Sequence, residues 1–478
     1  MVFSSPIFLF AFLPVVLGLS LLFRGRAANA FLLCASLVFY FWGETTYGWV
    51  IVASIAFNYG MGLALAGGGR RRLVAFAIFA NLALLGWFKY AALAVDGVNR
   101  VLAVFGGKGL AVPVVHLPIG ISFFTFHALS YVIDTHRGRT PPQKNFVDFA
   151  LYVTLFPQLI AGPIVRYHDI SAQLHEHRVG ADGFALGAQR FIVGLGKKVL
   201  IANTIGRAAD ALFAVPSKEL TPSLAWAAAA AYTLQIYYDF SGYSDMAIGL
   251  GRMFGLRFLE NFDYPYVAES VTEFWRRWHI SLSRWFRDYL YIPLGGNRTT
   301  PARTYVNLVV VFFLCGLWHG ASYTFVFWGL YHGAFLVLER AGVGALLERA
   351  PRILRHAYLL LVVIVGWVFF RTDSLASAWT YLEAMAGHAH GTGRVFRLSQ
   401  YLNDEVLLAT AVGVVGAAPV LPWLGGLRAG WVSGEGPRRA ALRVGWDVLA
   451  LSATGLVLLG SAALLASGTY NPFIYFRF

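Results

Sequence analysis

Two histidines lie in strongly apolar, aromatic parts of the sequence, where an ionisable side chain is uncommon. His319 stands in Cys-Gly-Leu-Trp-His-Gly at 315–320, and His279 stands in Arg-Arg-Trp-His-Ile-Ser-Leu-Ser at 276–283. An imidazole exchanges protons near neutral pH, but within a membrane it is unfavourable unless it faces a bundle interior or a water-filled path. A structural histidine that donates to a backbone carbonyl fits His319 equally well, and it fits His279 better.

A cluster of polar side chains interrupts the apolar run at 225–251 with the sequence Tyr-Tyr-Asp-Phe-Ser-Gly-Tyr-Ser-Asp at 237–245. Polar groups at membrane depth need partners, so they either brace neighbouring helices through hydrogen bonds or line a substrate path. Two asparagines further along the chain raise the same alternatives. The candidates for a support or substrate-path role are Tyr238, Asp239, Ser241, Tyr243, Asp245, Asn261, Asn297 and Trp318.

The segment at 269–303 has a cationic, aromatic-rich composition. It predicts an interfacial helix, because its large apolar side chains recur at three- and four-residue spacing and its arginines fall largely elsewhere on the helical wheel. The apolar face comprises Trp275, Trp278, Leu282, Trp285 and Tyr289, and the basic face comprises Arg276, Arg277, Arg284 and Arg287. Such a helix suits the cytoplasmic headgroup layer.

The composition indicates which elements must position these residues. Of the 478 residues, 58% are hydrophobic and only 13% are charged, whereas soluble domains contain about 25% charged residues. Apolar runs recur along the whole chain, and their continuous character predicts helices rather than the alternating strands of a barrel. The predicted fold is therefore all-α: a polytopic transmembrane helical bundle with re-entrant or interfacial helices.

The apolar runs also predict the topology. Arginines follow the first and third runs and Glu44 follows the second, which places the N-terminus outside the cell. Several runs are too short to cross a bilayer, so the middle of the chain is expected to enter the membrane without crossing it. The runs are 6–23, 29–42, 49–66, 73–95, 119–133, 149–164, 191–202, 225–251, 305–318, 324–338, 353–370, 406–424 and 448–466.

Several classes of function are disfavoured by what the sequence contains. The net charge of +14 follows from the basic cytoplasmic loops of a membrane protein, so no nucleic-acid partner is predicted. Cys34 and Cys315 lack the spacing of a zinc site, and no metal is predicted. The sequence has no Gly-x-Ser-x-Gly elbow, no nucleotide-binding Gly-x-x-x-x-Gly-Lys-Ser/Thr loop and no His-Glu-x-x-His motif.

Six motifs, in order and spacing, resemble the membrane-bound O-acyltransferase family. They are Pro-Ile-Gly-Ile-Ser-Phe-Phe-Thr-Phe-His (118–127), Ala-Gly-Pro-Ile (161–164), the polar cluster at 237–245, Phe-Trp-Arg-Arg-Trp-His-Ile-Ser-Leu-Ser (274–283), Leu-Gly-Gly-Asn-Arg (294–298) and Gly-Leu-Trp-His-Gly (316–320). The chain looks most like the bacterial branch that contains alginate and peptidoglycan O-acetylation proteins and the D-alanyl transfer protein of teichoic acids.

The resemblance implies a single funnel-shaped membrane domain with a thin core over 1–478. Its N-terminal helices would span 1–115, its catalytic core 116–340 and its C-terminal helices 341–478. His319 would be the general base for acyl transfer to an alcohol. His279 would be the second histidine of the pair, as a second base, a positioning group or a tunnel element.

The resemblance also implies the donor and the partners. The donor would be acetyl-CoA on the cytoplasmic side, or alternatively an acyl carrier protein, and no cofactor would stay bound. The four arginines suit either donor, because CoA phosphates and acidic carriers both attract cations. An extracytoplasmic partner protein would carry the acetyl group to a polysaccharide. The chain would be a multi-pass protein of the bacterial inner membrane, in contact with membrane lipid.

Three other functions stay open at this point. D-alanyl transfer to teichoic acid uses the same family of sites. A transporter or flippase of an acyl or glycan intermediate would use His319 and the polar cluster to line a pathway without reaction. A noncatalytic scaffold for polysaccharide secretion would need neither histidine for acylation.

Overall fold

The computed structural model describes residues 1–66, 70–174, 179–389, 391–434, 436–468 and 470–472. Helices dominate these residues, and no β-strand occurs among them. This confirms the all-α prediction.

The helices follow one another along the described chain. In chain order they are α1 (Leu13–Ser20), α2 (Arg26–Gly43), α3 (Gly48–Ala64), α4 (Arg71–Val104), α5 (Ile121–His136), α6 (Phe146–Thr154), α7 (Phe156–Leu159), α8 (Tyr167–Ile170), α9 (Ala181–Gly196), α10 (Asn203–Phe213), α11 (Pro222–Met253), α12 (Val271–Arg277), α13 (Ile280–Phe286), α14 (Pro301–His319), α15 (Tyr323–Leu338), α16 (Gly344–Arg349), α17 (Arg352–Arg371), α18 (Leu375–Met385), α19 (Asp404–Gly416), α20 (Val420–Val432) and α21 (Pro437–Ala466). Short π-helical segments continue some of them, at Phe8–Phe12, Lys197–Ala202, Arg287–Tyr291 and Glu339–Val343.

Six helical stretches of the described chain are long and apolar enough to cross a membrane. They are Arg26–Gly43, Arg71–Val104, Pro301–His319, Tyr323–Arg349, Arg352–Arg371 and Pro437–Ala466. The bent pair Asp404–Gly416 and Val420–Val432 would make a seventh if it forms one broken span. Each of these stretches contains one of the predicted apolar runs.

The predicted span at 406–424 is bent in the structure. The structure forms α19 and α20 there, which meet at an angle of 60°. Pro419 stands at the break. Proline removes a backbone donor and pushes the residue before it away from helical geometry, which explains why the helix ends in this place.

The short run at 191–202 belongs to a longer helical segment. α9, the π-helical turn at Lys197–Ala202 and α10 follow one another without a break. This segment packs against α11, which is buried along most of its length and carries the polar cluster.

The prediction of a single continuous helix in the 269–303 segment is wrong. The structure forms α12 and α13, and between them His279 adopts a left-handed conformation with φ of 45°. The neighbouring backbone supports this break, because Asp263 N donates to Arg277 O at 3.0 Å and Ile280 N donates to Asn261 O at 2.9 Å. A continuous helix would have directed its apolar face to lipid, whereas the broken one turns its aromatic rings into the protein.

The broken segment enters the bundle from one end and returns to it. At its start, Glu339, which follows α15, accepts from Val271 N at 2.6 Å. At its end, Arg137, which follows α5, donates to Asp288 O at 3.0 Å. His279, at the turn, lies close to the opposite end of α14.

Candidate active site

The structure brings the two predicted histidines together inside the bundle. His319 is the last residue of α14, and His279 occupies the break between α12 and α13. Their ring centroids are 6.4 Å apart, and both side chains are buried. The ring of Phe240, from the polar cluster, packs edge-on against His279, and the two ring centroids are 4.6 Å apart.

Asn261 fixes the orientation of the His279 ring. Its Oδ1 accepts from Ser281 N at 3.1 Å and from Ser281 Oγ at 2.8 Å, and it lies 3.1 Å from His279 Nδ1. A backbone N–H can only donate, so the Asn261 atom at this point is the oxygen, and His279 Nδ1 must carry the proton that it shares. His279 Nε2 then keeps a free lone pair, and it is buried without a hydrogen-bond partner among the described residues. His279 therefore offers a proton-accepting nitrogen.

Aromatic rings enclose His319. The ring centroids of Trp318, Trp328 and Phe370 lie 5.0, 5.1 and 5.2 Å from that of His319. Within the described chain, no hydrogen-bond partner reaches His319 Nε2 or the indole nitrogens of Trp318 and Trp328. An unpaired buried polar atom costs about 1–3 kcal/mol. These atoms are therefore suited to a bound molecule that carries hydrogen-bonding groups.

His332 is another buried histidine close to this pair, and it was not among the predicted site residues. Its ring centroid lies 5.1 Å from that of Trp328 and 5.3 Å from that of Trp275. Both of its ring nitrogens lack a hydrogen-bond partner among the described residues. Trp328 also contacts His319. The buried rings with unpartnered nitrogen atoms therefore continue from His319 towards α12. The signal that could have found His332 is its place in the apolar run at 324–338.

Lys89 and Tyr90 of α4 bind the last carbonyl groups of α14. The Lys89 Nζ atom donates to Trp318 O at 2.5 Å and His319 O at 3.3 Å, and the Tyr90 hydroxyl donates to Leu317 O at 2.7 Å. The final carbonyls of a helix lack partners within it and favour a nearby cation. Lys89 was not among the predicted site residues, although it gives the same sequence signal as His319, an ionisable residue inside an apolar run.

The two carboxylates of the polar cluster form ion pairs with neighbouring helical segments. The Oδ1 atom of Asp239 lies 2.5 Å from the Nζ atom of Lys198. Asp245 accepts from Arg190 Nε at 2.8 Å and from Lys197 Nζ at 2.7 Å. These contacts join α11 to α9 and its π-helical extension, as expected for the bracing alternative.

The remaining side chains of the cluster are also packed between helices. The Tyr238 hydroxyl donates to Gly413 O at 2.5 Å, which ties α11 to α19. Tyr243 stacks on Phe3 with ring centroids 4.5 Å apart, and Ser241 is buried. None of these contacts involves the two histidines.

Asn297 does not join the histidine pair. It lies in an exposed loop before α14, where its Oδ1 accepts from the Tyr291 hydroxyl and from Arg340 Nη1. His319 is at the other end of α14. Asn261 therefore belongs to the candidate site, and Asn297 is part of a surface loop.

The four arginines of the predicted basic face differ in their surroundings. Arg277 and Arg287 form ion pairs with nearby carboxylates at 2.9 and 2.7 Å. Arg276 is exposed and Arg284 is partly exposed. In the described part of the chain, neither of these two has a carboxylate partner. They are the members of the set that are available for an anionic ligand.

The fold and site together define an integral membrane protein with a buried, imidazole-containing centre. The chain matches the family model described as MBOAT, membrane-bound O-acyltransferase family, over residues 113–375. It belongs to this family, as the motifs predicted, and is thus an acyltransferase.

Curated relatives place the chain more finely within the family. It is similar to the probable alginate O-acetylase of Pseudomonas aeruginosa, with 42% identity over the whole of both chains. It is also similar to the peptidoglycan O-acetyltransferase of Helicobacter pylori, with 36% identity over 86% of this chain and 85% of that protein. The teichoic acid D-alanyltransferase of Bacillus subtilis is 25% identical over 60% of this chain and 78% of that protein.

Proposed function

We propose that this protein transfers an acetyl group from a cytoplasmic thioester to a hydroxyl group for the O-acetylation of an extracytoplasmic polysaccharide. The acceptor polymer would be an alginate-like exopolysaccharide or a cell-wall glycan. The observation that carries the proposal is the buried pair of His319 and His279, which are 6.4 Å apart and each have an unpartnered Nε2 atom. The similarity to alginate and peptidoglycan O-acetylating proteins supports the acetyl group.

The proposed reaction uses His319 as a general base. His319 accepts the proton of the acceptor hydroxyl as its oxygen bonds to the acyl carbon, and the carbon–sulfur bond of the donor then breaks. The same proton passes to the departing thiolate, so the products are an ester and a thiol. His279, held by Asn261, would accept a second hydrogen bond from the acceptor or stabilise the protonated His319.

Acetyl-CoA is the proposed donor. The exposed Arg276 and the partly exposed Arg284 would meet its phosphates, because phosphate oxygens form strong charge-assisted hydrogen bonds with guanidinium groups. A carrier protein with an acyl arm is the alternative, and the similarity to teichoic acid D-alanyltransferases favours it. Either donor would approach from the arginine-rich end of the bundle, which the distribution of basic loops assigns to the cytoplasm.

The proposed setting is the bacterial cytoplasmic membrane, with a second protein on its outer side. That partner would accept the acetyl group or deliver the polysaccharide to the site. A transporter of an acyl intermediate is the competing function, and it would leave the thioester intact.

The experiment compares purified wild type with His319→Ala in detergent. Acetyl release from labelled acetyl-CoA is followed with the candidate partner present, and size exclusion and thermal unfolding confirm the fold. We expect a loss of transfer of at least about a hundredfold, which is the usual scale of a general base. His388→Ala, which removes an exposed histidine, is the matched control and should keep wild-type transfer.

Two results would contradict the proposal. Undiminished transfer by a folded His319→Ala protein would remove this residue from catalysis. Movement of label across a vesicle membrane with the thioester still intact would replace acyl transfer with transport.

A further inference from the structure

Lys89 is a buried lysine without a carboxylate partner in the part of the chain that the structure describes. It is only 9% exposed. Its Nζ atom contacts Trp318 O at 2.5 Å and, at 3.3 Å, both His319 O and Ser122 Oγ. All three acceptors are neutral. Because burial of an ammonium group without a counter-charge is unfavourable, a purely structural role accounts poorly for a lysine at this position.

The cap on α14 uses only part of the hydrogen-bonding capacity of Lys89. Its bond to Trp318 O serves the helix end, but Tyr90 serves the neighbouring carbonyl of Leu317 with a neutral hydroxyl. The two contacts of 3.3 Å exceed the usual length of an N–H···O hydrogen bond, which is about 2.7–3.2 Å. The ammonium group has three hydrogens, so two of them are available to a stronger, negatively charged acceptor.

Lys89 and His319 line the same cavity, which has a volume of about 150 Å³. Ser122 and Trp318 also line it, and its described lining contains no aspartate or glutamate. The first turn of α5 borders the cavity at residues 121–123. The N–H groups of a first helical turn lack partners within the helix and carry a partial positive charge. A negative charge that develops in this cavity would therefore meet an ammonium group and a positive helix end.

We propose that Lys89 is a further catalytic residue of acyl transfer and that its ammonium group stabilises the negative charge on the acyl oxygen of the intermediate. This rests on the proposed function, because it concerns the intermediate of that reaction. When the acceptor oxygen bonds to the acyl carbon, one electron pair of the carbonyl bond moves to the acyl oxygen, and His319 takes the proton of the hydroxyl. The pair returns as the carbon–sulfur bond breaks, and the departing thiolate receives the proton from His319. Lys89 keeps its hydrogens throughout.

The position of Lys89 also offsets the charge of the helix end that carries His319. Trp318 and His319 are the last residues of α14, and the C-terminus of a helix bears a partial negative charge. This charge disfavours an anionic oxygen beside His319, whereas an ammonium group bound to the same carbonyls favours it. Donors that are held in place stabilise a developing charge most strongly where water is excluded, and all three side chains are buried.

The experiment separates the charge of Lys89 from its hydrogen bonds to α14. Lys89→Gln keeps a neutral donor and removes the charge, and transfer from labelled acetyl-CoA is measured with the candidate partner present. We expect kcat to fall by about 10²–10³, the usual effect of losing one donor to an oxyanion. The KM for acetyl-CoA should change little, because the interaction forms only as the reaction proceeds. Lys89→Arg keeps the charge and should retain at least about tenfold more turnover than Lys89→Gln.

Two further variants serve as comparisons. Tyr90→Phe removes a hydrogen bond to the same helix end without any change in charge. Its turnover should fall by less than about tenfold, the scale of one neutral hydrogen bond. Lys108→Gln removes an exposed lysine and should keep wild-type turnover. Thermal unfolding checks the fold of each variant, and Lys89→Met, with the same expected loss, replaces Lys89→Gln if the latter does not fold.

Three results would overturn the role of Lys89. Wild-type kcat in Lys89→Gln would show that the charge is not needed. An equal loss in Tyr90→Phe would reduce Lys89 to a helix cap. A raised KM with unchanged kcat would make it a group that binds the donor. A wild type that transfers no acetyl group would overturn the proposed function and this role together, whereas equal transfer by the wild type and Lys89→Gln would count against Lys89 alone.

Discussion

At the scale of single residues, the site depends on which nitrogen of His279 can accept a proton. The Oδ1 atom of Asn261 faces three groups. Because the backbone N–H of Ser281 can only donate, the Asn261 atom that it contacts must be the amide oxygen. The imidazole of His279 is thereby held with its proton on Nδ1. This arrangement resembles the support that carboxylates or carbonyls give to histidines in many catalytic sites.

Replacement of Asn261 by alanine tests this role. Asn261→Ala leaves the ring of His279 without its acceptor, and the tautomer with the proton on Nε2 becomes accessible. We expect acyl transfer to fall by about tenfold or more, since general-base effects span about 10²–10⁴. Turnover at saturating donor, together with thermal unfolding, is the measurement.

A second asparagine provides the control for this test. Asn297→Ala changes an exposed loop at the other end of α14 and should keep wild-type turnover. Equal losses in both variants would mean that Asn261 has no specific relation to His279.

At the scale of helices, the position of His319 depends on the close contact between α14 and α15. A methyl group built at Gly316 would lie 3.2 Å from the Cα atom of Gly329, in addition to a clash with the Phe325 carbonyl. Small residues allow such close approach of helices in membranes. Gly316 lies one turn before His319, so any separation of these two helices displaces the imidazole.

We therefore expect Gly316→Ala to lower both stability and turnover. Overpacking of this kind costs about 1–3 kcal/mol, which should appear as a lower melting temperature in detergent. Gly86→Ala is the matched control, because a methyl group at Gly86 of α4 meets nothing within 4 Å. That variant should be as stable as the wild type or more so, since alanine favours helix. A Gly316→Ala protein with wild-type melting and turnover would contradict the importance of the contact.

At the scale of the whole molecule, a charge cluster joins elements from distant parts of the chain at the arginine-rich end. The Asp288 carboxylate contacts Arg166, which follows α7, and accepts from Arg287 Nε at 2.7 Å. Burial alone would raise the pKa of Asp288, but the hydrogen bond from Arg287 and the charges of Arg287, Arg166 and Arg139 hold this pKa below its ordinary value of 3.8. The cluster thereby couples the broken segment of α12 and α13 to the rest of the bundle.

Because of this lowered pKa, the free energy of unfolding depends on pH in the acidic range. A carboxyl group with a lower pKa in the folded state than in the unfolded state stabilises the fold at pH values above its unfolded pKa. This contribution is lost as the pH falls through the pKa of the folded state. We expect Asp288→Asn to melt several degrees below the wild type at pH 7. The difference should shrink below the ordinary pKa of 3.8. Melting curves between neutral and acidic pH provide the test, and a difference that does not change with pH would exclude this charge as the cause.

The sequence alone determined the class of the molecule and its two central histidines. Continuous apolar runs specify membrane helices because a bilayer leaves the backbone few other ways to satisfy its hydrogen bonds. The motifs around His319 and His279 identified the family because their order and spacing are local properties of the chain. Neither conclusion required knowledge of which helices touch.

The tertiary structure decided how the site is built. The pattern around His279 predicted a single amphipathic helix. The structure breaks this helix because its backbone bonds to residues at 261–263, which lie outside the segment itself. Lys89 reaches the α14 carbonyls across 229 positions of sequence, and no local pattern encodes such a contact. The sequence therefore specified the two histidines of the candidate site, while their burial, the tautomer of His279 and the cavity beside Lys89 arise from long-range packing.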